Sequence, residues 1–424
     1  MYRTLILCLC FVIALSSGVS KANAQDTTYM SIQIAQNIFT EQNLDMIAAR
    51  FEIDKASAQI MQSRLLNNPE FEITANAYNP EDKKFFDVSN RTGDYGFRLE
   101  QLFSLGGKIR KATNLAQTQY DYTQHSFSAL LRDLLFSLRT NFHTLNFLQE
   151  SQQKLKMQLD ALKNLSASYD RLQKKQLVTL QDAFRVKSLY YSLLSEITDI
   201  DNQMEDNQNQ LRVLLNLTNK TIVVETDNEE KYASFPDKYS LSELLDSAHQ
   251  NRPDLKMARK NILINEHALI LERSLAIPNL KVGAAYARRD AFVPKATMLE
   301  VGLAIPLFNR NQGNIKAAKA GIGQAKTEAD LKELLIENEL QSAYQKALNT
   351  NKTLLEMDET YLSNYETLLK SVQQNLEKQR ISLLDFAQYQ ESFKESILQY
   401  YRLKNEKMNS IEELNYAIGK FLFN

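Results

Sequence analysis

The scarcity of glycine and proline is the feature that most restricts this chain. Its 424 residues hold only 11 Gly and 7 Pro, well below ordinary usage for that length. No Pro lies between Pro80 and Pro236 or after Pro306, and nine of the 11 Gly fall within Gly93–Gly107 and Gly283–Gly323. Turns and loops draw on these two residues for their special dihedrals. The long stretches lacking both must therefore be long helices. This excludes an all-β sandwich and argues against a phosphate-cradling α/β enzyme. The formal net charge of −1 gives no support to nucleic-acid binding.

Residues 1–24 read as a secretory signal peptide. Arg3 supplies the positive start, Leu5–Leu15 an apolar stretch, and Ala22-Asn23-Ala24 a small-residue cleavage site. Cleavage is expected after Ala24. Both cysteines, Cys8 and Cys10, lie inside that segment. The mature chain would then have no disulfide, no thiol nucleophile, no cysteine metal ligand and no lipid-acceptor Cys. Elsewhere no run of ~20 apolar residues is long enough for a transmembrane helix. Short alternating barrel strands escape that criterion.

The second half repeats the first. Asn68-Pro69 corresponds to Ile277-Pro278, Gln101-Leu102-Phe103 to Pro306-Leu307-Phe308, and Gly107-Lys108-Ile109 to Gly313-Asn314-Ile315. Lys175–Asp182 corresponds to Lys378–Asp385, and Leu211 and Leu215 to Leu414 and Ile418. Each half reads as a medium helix (about 28–66 and 241–276), two strands, a very long helix (about 109–174 and 315–377), a break and a return helix (about 180–217 and 383–422). The expected organisation is a first repeat over 25–217, with strands about 70–79 and 94–104. A polar connector follows over 218–240. The second repeat covers 241–424, with strands about 279–287 and 298–308. The period is too long for a solenoid. Along the long helices, apolar residues such as Phe127, Leu131, Leu134, Leu138, Phe142 and Leu145 recur every three or four positions, the spacing of helices packed at shallow angles.

The strands alternate. Phe71, Ile73 and Ala75, then Tyr95, Phe97 and Leu99, then Leu280, Val282 and Ala284, then Leu299, Val301 and Leu303, occupy one face of their segments. Charged, polar or small residues occupy the other. About ten residues of such alternation is the pattern of a membrane barrel strand. Four strands cannot close a barrel, and an open edge cannot face lipid. Several chains must then share one barrel, and three copies would give about twelve strands under cyclic symmetry. The loops Asn79–Asp94 and Ala287–Met298, with Lys83, Lys84, Arg91, Arg288, Arg289 and Lys295, would face the cell exterior.

At this level the chain resembles the TolC-like family of outer-membrane efflux channels over essentially its whole mature length. The most specific stretch is Gly302–Ile315, similar to the second-repeat strand and linker of the heavy-metal-cation branch. Leu102–Lys108 and Asn251-Arg252-Pro253-Asp254-Leu255 also fit. The absence of a lipid-acceptor Cys departs from some members of that branch. The resemblance implies a mainly α fold with a small β part. A homotrimer would form a twelve-stranded outer-membrane β-barrel, continued by a long periplasmic α-helical barrel. It implies a periplasmic adaptor (membrane fusion protein), an inner-membrane RND-type pump and outer-membrane lipid as partners, with no cofactor. It also places the adaptor at the helix-hairpin tips, here Lys174, Lys175, Gln176, Leu177, Lys378, Gln379 and Ile381. A constricting acidic ring on the return helix would fall at Asp385, then Asp182, with Arg380 and Arg185 as the basic groups that could hold it shut. The residues alone read Thr179–Asp182 and Ser382–Asp385 as helix-start signatures, hydroxyl cap with acid three positions on.

No catalytic constellation is present. His125, His143, His249 and His267 are scattered without metal-ligand spacing, and no phosphate loop or nucleophile motif occurs. The expected function is the exit duct of a tripartite efflux system, with metal cations as one candidate cargo. A periplasmic coiled-coil adaptor or scaffold, an adhesin stalk and the outer-membrane component of a type I secretion system remain open alternatives.

Overall fold

The computed structural model describes residues 26–80, 82–89, 92–225, 239–289, 293–357 and 360–423. Residues 1–24, read above as a signal peptide, and most of the expected polar connector lie outside them. In chain order the elements begin with strand β1 (Asp26–Met30), helices α1 (Ile32–Gln42) and α2 (Leu44–Ser63), and strand β2 (Glu70–Ala75). A short hairpin, β3 (Tyr78–Asn79) and β4 (Lys84–Phe85), precedes strand β5 (Tyr95–Phe103). Helices α3 (Lys108–Lys174) and α4 (Leu180–Leu214) and strand β6 (Lys220–Val224) complete the first half. The second half runs α5 (Leu241–Asn251), α6 (Pro253–Leu275), β7 (Leu280–Arg289), β8 (Pro294–Leu303), α7 (Gln312–Leu355), α8 (Tyr361–Glu377) and α9 (Leu383–Ile418). The repeated order of helix, two strands, long helix and return helix is therefore present.

The structure differs from the sequence reading at four places. The chain enters as strand β1, not helix, and pairs in parallel with β6, Asp26 against Lys220 through Met30 against Val224. The expected polar connector thus opens with the β-branched strand Lys-Thr-Ile-Val-Val. The first medium helix breaks at Asn43, whose extended backbone is held by an amide hydrogen bond from Nδ2 to the Leu214 carbonyl at 2.9 Å. Its counterpart breaks at Arg252, because Pro253 cannot donate an amide proton but fits the first helical position. The second long helix stops at Leu355 and resumes at Tyr361.

The described residues form two compact units, those of 26–43, 141–225 and 362–402, and those of 44–140, 239–361 and 403–423. In the first, Phe39, Leu155, Val186, Ile197, Phe386 and Ile397 are buried. In the second, Leu244, Leu255, Ile336, Leu340, Ile411 and Leu414 form a continuous core. There Gly321 permits close packing, since a Cβ would lie 2.7 Å from Asn265 Oδ1. The second unit also holds an antiparallel sheet in the order β2-β5-β7-β8.

Candidate functional site

Two regions carry the chemistry expected of a channel, the four-stranded sheet and the helix-hairpin tips. In the sheet, register brings the alternating residues of all four strands onto common faces. Phe71 pairs with Leu99, Leu99 with Ala284, and Ala284 with Leu299; Ile73 pairs with Phe97, and Phe97 with Tyr286. This face is exposed in the single chain, with Leu299 78%, Val301 67% and Phe71 63% accessible. The opposite face is polar. Arg98 reaches Glu72 at 3.4 Å and Glu300 at 3.2 Å, and Lys281 meets Glu100 at 2.5 Å. An apolar face of that extent is stable against lipid, not water. Each strand pairs only within the sheet, so β2 and β8 each leave one edge open among the described residues. Open edges invite pairing with another chain and are excluded from a lipid environment.

The tips are built twice by the same backbone device. At the end of α3, Gln176 adopts φ 60°, and Leu177 N donates to Leu172 O at 3.0 Å. At the end of α8, Gln379 adopts φ 56°, and Arg380 N donates to Asn375 O at 2.8 Å. These are left-handed helix C-caps that satisfy the last carbonyls. Each return helix then starts on a hydroxyl cap. Thr179 Oγ1 accepts from Asp182 N at 3.1 Å and donates to its carboxylate at 2.6 Å. Ser382 Oγ accepts from Asp385 N at 3.1 Å and donates to Oδ2 at 2.7 Å, while Ser382 N donates to the same oxygen at 3.3 Å.

Within one chain, then, Asp182 and Asp385 are capping carboxylates. Among the described residues, neither Arg185 nor Arg380 forms an ion pair with them. The charge of Asp182 still acts locally: with burial as the larger cause, it raises the Tyr169 phenol above its usual value. Lys174, Lys175, Gln176, Leu177, Lys378 and Gln379 are exposed, and Ile381 is half-buried. Leu177 is joined on the first tip by exposed Leu180 and Phe184, an apolar stripe the sequence reading passed over.

Sequence reasoning also missed the role of a charge network in the second unit. Arg252, only 3% exposed, donates to Asp254 at 2.7 Å, to Glu339 at 2.7 Å and to the Ala417 carbonyl at 3.0 Å. Asp254 also accepts from Arg132 at 3.2 Å, whose guanidinium sits 4.2 Å over the Tyr416 ring. Burial alone would raise the Asp254 carboxyl; the Arg252 hydrogen bond and the charges of Arg132, Arg252 and Lys332 outweigh it and hold it at about 2. The Asn-Arg-Pro-Asp-Leu motif was the available signal.

The four histidines occupy separate settings; His267 Nδ1, for example, bonds Thr118 Oγ1 at 2.8 Å. Among the described residues, no group of three or more His, Cys, Asp or Glu is placed to hold a metal ion. Nor is any described helix long and apolar enough to cross a membrane.

Comparison with known proteins places these features in a family context. The family described as outer membrane efflux protein matches residues 37–217 and 244–420, one match in each half. The cobalt-zinc-cadmium resistance protein CzcC of Cupriavidus metallidurans is 21% identical over 395 residues, covering 92% of this chain and 90% of its own. Among solved structures, CusC superposes with a TM-score of 0.72 at 15% identity, covering 95% of this chain and 96% of its own. The Campylobacter jejuni CmeC outer membrane channel superposes with a TM-score of 0.73 at 14% identity, covering 92% and 86%.

Proposed function

The chain belongs to the outer membrane efflux protein family, and from that premise we propose that three copies form the exit duct of a tripartite efflux system. The observation that carries this reading is the two-faced sheet with open edges on β2 and β8. One chain supplies four strands; three supply about twelve, enough to close a barrel and remove every edge. The apolar face would meet lipid, and the Arg98–Glu72–Glu300 ladder would line the lumen. The helices would extend into the periplasm.

Partners follow from the tips. A periplasmic adaptor would dock at Lys174–Leu177 and Lys378–Ile381 and link the channel to an inner-membrane RND-type pump. Metal cations are the favoured cargo, because the similar CzcC carries cobalt, zinc and cadmium resistance in its name. Cation passage would be governed at the tips by a three-fold ring of Asp385, with Asp182 the second candidate and Arg380 and Arg185 the available counter-charges. The return helices need their caps in any case, so the same carboxylates would serve both purposes.

Cell fractionation followed by planar-bilayer recording tests the reading. The protein is expected in the outer-membrane pellet after a high-salt wash and should form discrete conducting channels. Release by salt, or failure of the intact protein to conduct, would favour the periplasmic scaffold alternative.

A further inference from the structure

The second unit contains a cavity of about 260 Å³ that the channel reading leaves without a role. It lies where the middle of α3, the α5–α6 junction and the end of α9 come together. Its lining is mixed: Arg132, Lys256, Lys420 and His125 alternate with Leu131, Leu135, Phe136 and Phe421, and the buried carboxylate of Glu412 also lines it.

The lining's cations are only partly matched by carboxylates. Arg132 is paired with Asp254 and Asp133, and Glu412 with Arg139 at 2.6 Å, while Asp254 also holds Arg252. Lys256 and Lys420 form no ion pair among the described residues. The field is felt by His125, which burial, then Lys256 and Lys260, push below its usual value. Lys256 is half-buried and Lys420 exposed, so water solvates both, and a carboxylate would gain charge-assisted hydrogen bonds from them beside apolar side chains. The volume lies just under the ~300 Å³ lower end of drug-sized pockets, which suits one ring or a short chain.

We propose that this cavity binds a small organic anion, a carboxylate taken by Lys256 and Lys420 whose apolar body lies against Leu131, Leu135 and Phe136. Such a ligand would brace α3, the α5–α6 junction and the end of α9 together. The inference is independent of what the channel exports.

Calorimetric titration of the intact, detergent-purified protein with benzoate tests it. Benzyl alcohol offers the same body without charge, and acetate the same head without the body. Saturable benzoate binding is expected, with both comparators about tenfold weaker or more. Lys256→Gln and Lys420→Gln should each weaken benzoate about fivefold or more, with helical content and oligomeric size unchanged. Leu135→Phe, which fills the cavity without touching charge, should do the same. No saturable benzoate binding, equal binding of either comparator, or undiminished binding by all three variants would overturn the proposal. So would protection of both lysine amines from an acylating reagent in the ligand-free assembled protein, since a neighbouring copy would then cover the cavity.

Discussion

At the residue scale, Asp254 is held in its ionised form by a network of cations. Its folded value of about 2 lies below the ordinary 3.8, so its ionised form adds stability that is complete above about pH 4. That stability is lost as pH falls through 2. The shift corresponds to about 2 kcal/mol. Helix-monitored melting of the wild type should therefore fall more steeply between pH 4 and 2 than that of Asp254→Asn, which should already melt lower at pH 7. Parallel curves would show that Arg252 and Arg132 are satisfied without it. Asp385 and Asp182 make a second pair of claims. Asp385→Asn is expected to reduce cation preference, or to raise resting conductance if a basic neighbour holds the mouth shut, with Asp182→Asn weaker. If conductance, selectivity and multivalent-cation block are all unchanged in an intact assembly, the two carboxylates are caps alone. Both acids were legible in the sequence through their hydroxyl partners. Arg252 was legible only as part of a motif, because nothing local signals that a guanidinium will be buried against Glu339 and the Ala417 carbonyl.

At the element scale, periodicity exposed the long helices and alternation the strands, since both follow from which residues share a face. The breaks were less legible. Asn43 stops a helix through a bond to Leu214, distant in sequence, and β1 exists only because β6 offers it an edge. Local sequence contains neither fact. The tips show a conflict between stability and position: Gln176 and Gln379 occupy left-handed backbone that glycine fills without strain. Gln176→Gly and Gln379→Gly should leave stability unchanged or raise it by about 0.5–1 kcal/mol. If the tips dock an adaptor through these side chains, the same variants should transport less while melting no lower. Loss of both stability and transport would point to a purely structural turn. Cysteine placed at Gln176 or Gln379 should cross-link to an adaptor, whereas Cys at Lys83 should not; the thiol-free sequence after Ala24 makes the experiment clean.

At the scale of the whole molecule, the duplication explains why one family match falls in each half. It also explains why the two tips share a left-handed glutamine 203 residues apart. What a single chain lacks is closure. Its sheet has one face suited to lipid, one suited to water, and two outer strands with free edges. The proposed association would satisfy all three conditions, and antiparallel order would allow β8 of one copy to meet β2 of the next. The most direct measurement is the mass of the detergent-extracted protein by native mass spectrometry. Three chains per particle is the predicted result. A particle of one chain, extracted mildly and retaining its helical content, would contradict the shared barrel on which the channel reading rests.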